Sequence, residues 1–270
     1  MKKHRLLAVS NALILLVHVF ISYSTQFKLI NNKDVGEVSK IYSSLFTPAP
    51  VTFAIWGVIY LSLLAFCIYH LVHAWRQSVS FEANKDLLKI GGWFIFNNLA
   101  TISWLIAWTN ERLLLSVILI FAQLISLIII NSKLPVYDRG RGATSKIFTQ
   151  FPLSIYFAWL TIATIANTSS YLAAMNWGGS ISAVTWTVIM ISVAVAITVL
   201  VVLFRKNVFY GIVVIWALYG IILKRQMESG GNDEPIIRAA AVGIGITIAV
   251  CILQLIRNTT KRRQVNYFSN

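Results

Sequence analysis

Charge is scarce in this chain. Lys, Arg, Asp and Glu make up 12% of its 270 residues, about half the roughly 25% of an ordinary soluble domain. Only nine of them are acidic. Hydrophobic residues reach 57% and the mean hydropathy is +0.73, so water is not the main solvent. The two cysteines, Cys67 and Cys251, lie in separate apolar runs, which excludes a disulfide framework or zinc spacing and leaves two small buried hydrophobes. A nucleophile–base pair, a carboxylate dyad and a metal-ligand cluster are equally missing, so no catalytic residue and no metal site is expected, and no cofactor is required. The net charge of +14 does not point to nucleic acid either. The 23 Lys and Arg sit between long uncharged stretches and form no basic face.

Long apolar runs take the place of charge. A helix needs about 20 apolar residues to cross the hydrocarbon core, because its backbone N–H and C=O groups must pair without water. Eight runs meet that need: 6–23, 51–72, 91–108, 113–130, 148–172, 181–204, 208–223 and 236–256. The expected fold is all-α, a polytopic transmembrane bundle of about eight spans. The seventh run is the weakest, being short and carrying Gly211 and Gly220. The first follows Met1-Lys2-Lys3-His4-Arg5, the charge order of a signal peptide. Only a weak Ser22-Tyr23-Ser24 could be cleaved and the run is long enough to span, so an uncleaved first helix is expected.

Alternate threading of these runs puts 16 cations on one side and 7 on the other, where six of the nine acids also lie. By the positive-inside rule the amino and carboxyl termini are expected in the cytoplasm, with a bacterial cytoplasmic membrane as the expected host and the lipid bilayer as the principal partner. The long outer segment 25–50 carries an Asp34-Val35-Gly36-Glu37 capping-box pattern and then Thr47-Pro48-Ala49-Pro50. These predict a short amphipathic helix over about 34–45 that lies against the bundle mouth and is broken before the second span. There is no internal repeat and no low-complexity tract.

No Asp, Glu, Lys or Arg falls inside a predicted span, which argues against an ion-driven pump or a proton-coupled carrier. Aromatic residues fill the interior instead: nine Trp, ten Tyr and fifteen Phe. Trp75, Trp93 and Trp177 sit at span ends and suit the interfacial belt. Trp56, Trp104, Trp159, Trp186 and Trp216 lie deeper, where an indole N–H needs a partner or a ligand. Asn97, Asn98 and Gln123 are expected to bond between helices, with ligand contact as the sharper alternative. His70 and His73 suit a headgroup-facing helix end, and haem-iron ligation is the alternative for them and for His18.

The fifth span reads Tyr156-Phe157-Ala158-Trp159-Leu160-Thr161-Ile162-Ala163-Thr164-Ile165-Ala166-Asn167. It resembles the last-helix pattern Tyr-x-x-Trp-x-x-Phe-Ala-x-x-Leu-Asn of the TspO/translocator-protein family, also called peripheral benzodiazepine receptors or tryptophan-rich sensory proteins. Ile162 stands for the aromatic and Ala166 for the leucine. Pro48-Ala49-Pro50 through Trp56 and Tyr60 is similar to the family's proline-led second helix, without its earlier tryptophan. Thr101-Ile102-Ser103-Trp104 resembles the third helix, with Thr101 replacing an asparagine. The three motifs occur in the family's order after a first helix and a long outer loop.

The resemblance implies a five-helix ligand-binding core over 1–176 with a cavity opening toward the outer loop. In the family such a cavity takes tetrapyrroles such as porphyrin or haem, and in eukaryotic members sterols. Carried over by position, it would be lined by Trp56, Tyr60, Thr101, Trp104, Tyr156, Trp159, Ala163 and Asn167. The spacing agrees, because Tyr156, Trp159, Ala163 and Asn167 recur at three and four residues and share one helix face. The resemblance further implies a receptor or sensor that binds, and passes along, a flat hydrophobic ligand. A permease-like facilitator of another solute and a light-dependent porphyrin-degrading enzyme are the alternatives. The motifs stop at about residue 176, leaving 177–270 as a three-helix extension with a basic tail. Its Ala239-Ala240-Ala241-Val242-Gly243-Ile244-Gly245 run suits close packing on the core or, alternatively, a homodimer face.

Overall fold

The computed structural model describes residues 2–134, 141–177, 181–228 and 233–267, with side chains described as far as residue 259. Of the cations counted above, Arg139 and the side chains of Lys261, Arg262 and Arg263 lie outside the described residues. The described residues are 84% helical and include no strand. Helix α1 (Lys3–Gln26) is followed by the short α2 (Val35–Ile41). A 3₁₀ turn, Pro50–Ala54, then leads into α3 (Ile55–Arg76). Next come α4 (Glu82–Ile90), α5 (Trp93–Thr109) and α6 (Leu113–Lys133). The single turn α7 (Ala143–Ser145) and a π turn, Lys146–Gln150, run into α8 (Phe151–Ala174). The chain closes with α9 (Ala183–Arg205), α10 (Val208–Met227) and α11 (Glu234–Tyr267).

Seven of these helices are long and apolar enough to cross a membrane, and eight spans result if the bent pair α4–α5 counts as one. The pair shows what the third apolar run concealed. At 17 residues α5 is about 25 Å long, short of the roughly 30 Å hydrocarbon core, and it meets the charged α4 at a 55° bend. Gly91 makes the corner with φ +60°, a conformation other residues rarely adopt. Helix α4 buries Ala83, Leu87 and Ile90 on one side, so it lies against the bundle as an amphipathic element.

Helix α8 occupies the centre. Every residue from Pro152 to Ile162 is buried, as expected of a helix apolar all round, and α3, α6 and α10 pack against it. The seventh apolar run proves to be the full 20-residue helix α10. Its glycines are points of close approach: a Cβ on Gly211 would collide with Cys251 of α11, and one on Gly220 would collide with Thr52 ahead of α3. Gly243 of α11 lies under Val195, where a Cβ would sit 2.7 Å from its Cγ2. That half of the small-residue run therefore packs within the chain, while Gly245 meets nothing within 4 Å.

The polar residues read as interhelical do bond between helices. Asn97 Nδ2 donates to Ser126 Oγ (2.7 Å) and to the Gln123 carbonyl (3.1 Å) of α6. His18 Nδ1–H donates to Asn98 Oδ1 (2.8 Å), tying α1 to α5.

One end of the bundle is closed by buried polar contacts. Arg141 grips Asp86 of α4 through two bonds of 2.6 and 2.7 Å, with Glu82 at 3.3 Å from its Nε. His70 is saturated there: Nδ1–H donates to the Ala83 carbonyl (3.1 Å) and Nε2 accepts from Thr149 Oγ1 (3.1 Å) in the π turn. Arg5 Nε donates to the Ala74 carbonyl at 3.1 Å, and Arg205 donates to the carbonyls of Asn131 and Leu134. Several cations that alternate threading treats as solvated loop charges are thus structural anchors.

Candidate functional site: an aromatic cavity under a short helix

The opposite end is hollow. A cavity of about 530 Å³ lies between α1, α2, α3 and α5 and is lined by Trp56, Tyr60, Thr101 and Trp104. A smaller chamber of about 60 Å³ adjoins it, lined by Trp159, Ala163 and Asn167 of α8. Phe53, Trp56 and Trp104 border both. Seven of the eight carried-over positions therefore face this hollow. The eighth, Tyr156, lines neither chamber. It is fully buried beneath Trp56, 6.1 Å between ring centroids, and its hydroxyl bonds Thr101 Oγ1 at 3.0 Å.

The rings are held by one another and by hydrogen bonds. Trp56 stacks on Tyr60 (5.4 Å, 28°) and meets Trp159 edge to face (6.3 Å, 85°), while Phe53 meets Trp159 likewise (5.9 Å, 84°). Trp104 stacks on Trp108 (5.8 Å, 12°). Offset and T-shaped pairs of this kind contribute about 0.5–1.5 kcal/mol each beyond area burial. Asn167 does not present its amide to the hollow. Its Oδ1 accepts from Trp104 Nε1 (2.8 Å) and its Nδ2 donates to Ser116 Oγ (3.0 Å), so it positions the indole of Trp104. Tyr60 OH bonds Ser22 Oγ of α1 at 2.8 Å. Trp159 Nε1–H is buried with no partner among the described residues.

A lid covers the mouth. Helix α2 starts with a complete capping box, in which Asp34 Oδ1 accepts from Glu37 N–H and Glu37 Oε2 accepts from Asp34 N–H. It ends at Ile41, short of the predicted residue 45. There Tyr42 OH turns to Glu111 Oε2 (2.7 Å), and Ser44 and Thr47 close a turn on each other. Trp108 Nε1–H donates to the Val35 carbonyl (3.1 Å), docking the lid on α5. Two exposed ion pairs latch it: Lys28 with Glu37 and Lys33 with Glu111, each 2.5 Å. The bond from Lys28 holds the Glu37 carboxyl below its ordinary 4.5, and the bonds from Lys33 and then Tyr42 do the same for Glu111.

The family model for TSPO-like proteins matches residues 8–254. The chain belongs to the TSPO-like protein family. The family match runs past residue 176, where the motifs stop, and takes in α9, α10 and most of α11. Comparison with curated proteins and with solved structures finds no match. Membership, together with the apolar helices, makes the chain an integral, multi-pass membrane protein.

In this TSPO-like chain the extension also reaches the hollow. Lys224 of α10 lines the larger cavity, Trp216 Nε1–H donates to the Thr52 carbonyl (3.0 Å) and Ala49 N–H donates to the Gly220 carbonyl (2.9 Å). No motif in the first five helices signals these residues, because their partners lie more than 160 positions away. Phe53 and Pro48 are different: both stand inside the proline-led motif and face the hollow with it. His18 and His70 are buried and engaged on their Nδ1 atoms; His70 lies at the closed end, whereas His18 backs the site by meeting Tyr60 edge to face (5.4 Å), and the described residues hold no cluster able to ligate a metal.

Proposed function

We propose that this protein is a membrane receptor or sensor that binds a flat hydrophobic ligand, a tetrapyrrole of the porphyrin or haem kind, in the cavity beneath α2. The observation that carries the reading is the convergence of Trp56, Trp104 and Trp159, from three separate helices, around one hollow. At about 530 Å³ the larger chamber falls within the roughly 300–1,000 Å³ of small-molecule sites. Phe53, Trp56, Tyr60 and Trp104 give it an aromatic wall, which favours stacking of a flat ring, and polar and charged residues of α2 stand on the other side. The α2 lid would exclude water from the bound ring and open to admit it. The 16-to-7 distribution of cations supports a cytoplasmic location for both termini. The mouth would then face the opposite side, in a bacterial cytoplasmic membrane on this reading.

The test is titration of the purified protein with protoporphyrin, followed by tryptophan fluorescence. Trp56→Ala and Trp104→Ala should each weaken binding by about tenfold or more, since each removes a stacking wall. Unchanged quenching curves in both variants would remove the proposed pocket.

A further inference from the structure

We infer that the C-terminal extension completes this site: Lys224 of α10, with Lys40 of α2, receives a carboxylate carried on the edge of the ring ligand. The inference rests on the ring-binding reading above and adds the ligand's chemistry to it. Both lysines line the larger cavity, and they come from opposite parts of the chain, one from the lid and one from the extension.

These two lysines are the cations that line the larger cavity. The cavity's own carboxylates are engaged: Asp34 accepts from the Glu37 backbone, and Glu37 is held by Lys28. Lys40 is exposed and forms no ion pair among the described residues. Lys224 is mostly covered, 17% exposed, and meets Glu228 at 2.5 Å. Glu228 keeps a second partner without it, because Arg225 Nη2 holds the other oxygen at 2.6 Å. Lys224 can therefore turn to a ligand without stranding an acid.

Position then dictates the pose. Trp56 and Trp104 line the cavity from α3 and α5, and Lys40 and Lys224 line it from α2 and α10. An amphiphile would enter ring first and leave its acid at the lysines, where partial shielding from water strengthens a charge-assisted bond. A neutral ring of the same shape would stack equally but lose that bond. The extension thus selects among flat ligands.

Full-length protein in nanodiscs should be titrated with protoporphyrin, which carries two carboxylates, and with its dimethyl ester, following tryptophan quenching. The wild type should bind the acid about tenfold tighter than the ester. Lys224→Gln should remove most of that preference by weakening the acid far more than the ester, Lys40→Gln should remove part of it, and Lys224→Arg should retain it. Added salt should weaken the acid and spare the ester. Equal binding of acid and ester by the wild type, or a Lys224→Gln protein with the full preference, would overturn the inference and leave ring binding standing. Failure of both compounds to quench the wild type would overturn the ring-binding reading itself.

Discussion

The two ends of this bundle solve opposite problems with similar residues. At the closed end Asp86, Arg141, His70 and Thr149 are buried, mutually bonded and surrounded by packed helix. At the open end Glu37, Glu111, Lys28 and Lys33 pair at the surface, and the aromatic rings below them enclose empty space. A buried, saturated network fixes the frame. Surface pairs are weak, and a mouth latched by them can open without unfolding anything. On the proposed reading, stability and binding are carried by separate groups, so substitutions should separate them.

The largest effect is expected at the closed end. Asp86→Ala leaves the Arg141 guanidinium buried without its two carboxylate bonds, which costs about 3–5 kcal/mol when one partner of a buried pair is removed. Thermal unfolding in detergent should show a large fall in Tm, while the fraction that remains folded binds protoporphyrin with wild-type affinity. A matching loss of affinity would dissolve the division between the ends.

A smaller effect is expected where the extension meets the mouth. Gly220→Val puts a branched side chain onto Thr52, and overpacking of that kind costs about 1–3 kcal/mol. The displaced turn would disturb the Trp216–Thr52 and Ala49–Gly220 bonds together. Because that turn leads directly to Phe53 and Trp56, both Tm and affinity should fall, in contrast to the Asp86 variant.

These cases mark what the sequence could reveal. Apolar run length reports spans directly, because the bilayer sets the length, so seven of the eight runs map onto helices long enough to cross, and the third maps onto α5, which reaches that length only with α4. The three-and-four spacing likewise put Trp159, Ala163 and Asn167 on one face of α8, and all three meet the same chamber. What run length cannot report is a charged amphipathic helix such as α4, whose apolar side is too short to register. Nor could composition decide the sign of Gly211 and Gly220: within one helix glycine is a weakness, and only the partner helix turns it into a contact. Asn167 was legible as a residue of the cavity wall but not as the partner of Trp104 and Ser116, which lie 63 and 51 residues away.

That role gives the next prediction. Asn167→Ala leaves Trp104 Nε1–H and Ser116 Oγ without their shared partner, and an unsatisfied buried donor costs about 1–3 kcal/mol. The indole is then free to leave its place in the wall. Affinity for protoporphyrin should fall by less than in Trp104→Ala, and Asn167→Gln should restore little, because the longer amide cannot reach both partners from the same Cα. Equal affinities for Asn167→Ala and wild type would show that Trp104 is held by its stacking on Trp108 alone.

The smallest effect belongs to the lid and depends on pH. Glu37 and Glu111 have folded-state values held below their ordinary 4.5 by Lys28, Lys33 and Tyr42. A depressed carboxyl stabilises the closed form above its unfolded value and loses that contribution as pH falls through the folded one. The latch should therefore be intact at neutral pH and release only on the acid side of the ordinary carboxylate range. Between pH 7 and 5 the ligand's association rate should change little; below about 4 it should rise as α2 lifts. Glu111→Gln should bring the faster rate to neutral pH, since it weakens the pairing with Lys33 and Tyr42 at once, and high salt should mimic part of the change. A rate that already climbs across that window would place the gate elsewhere than at these two pairs.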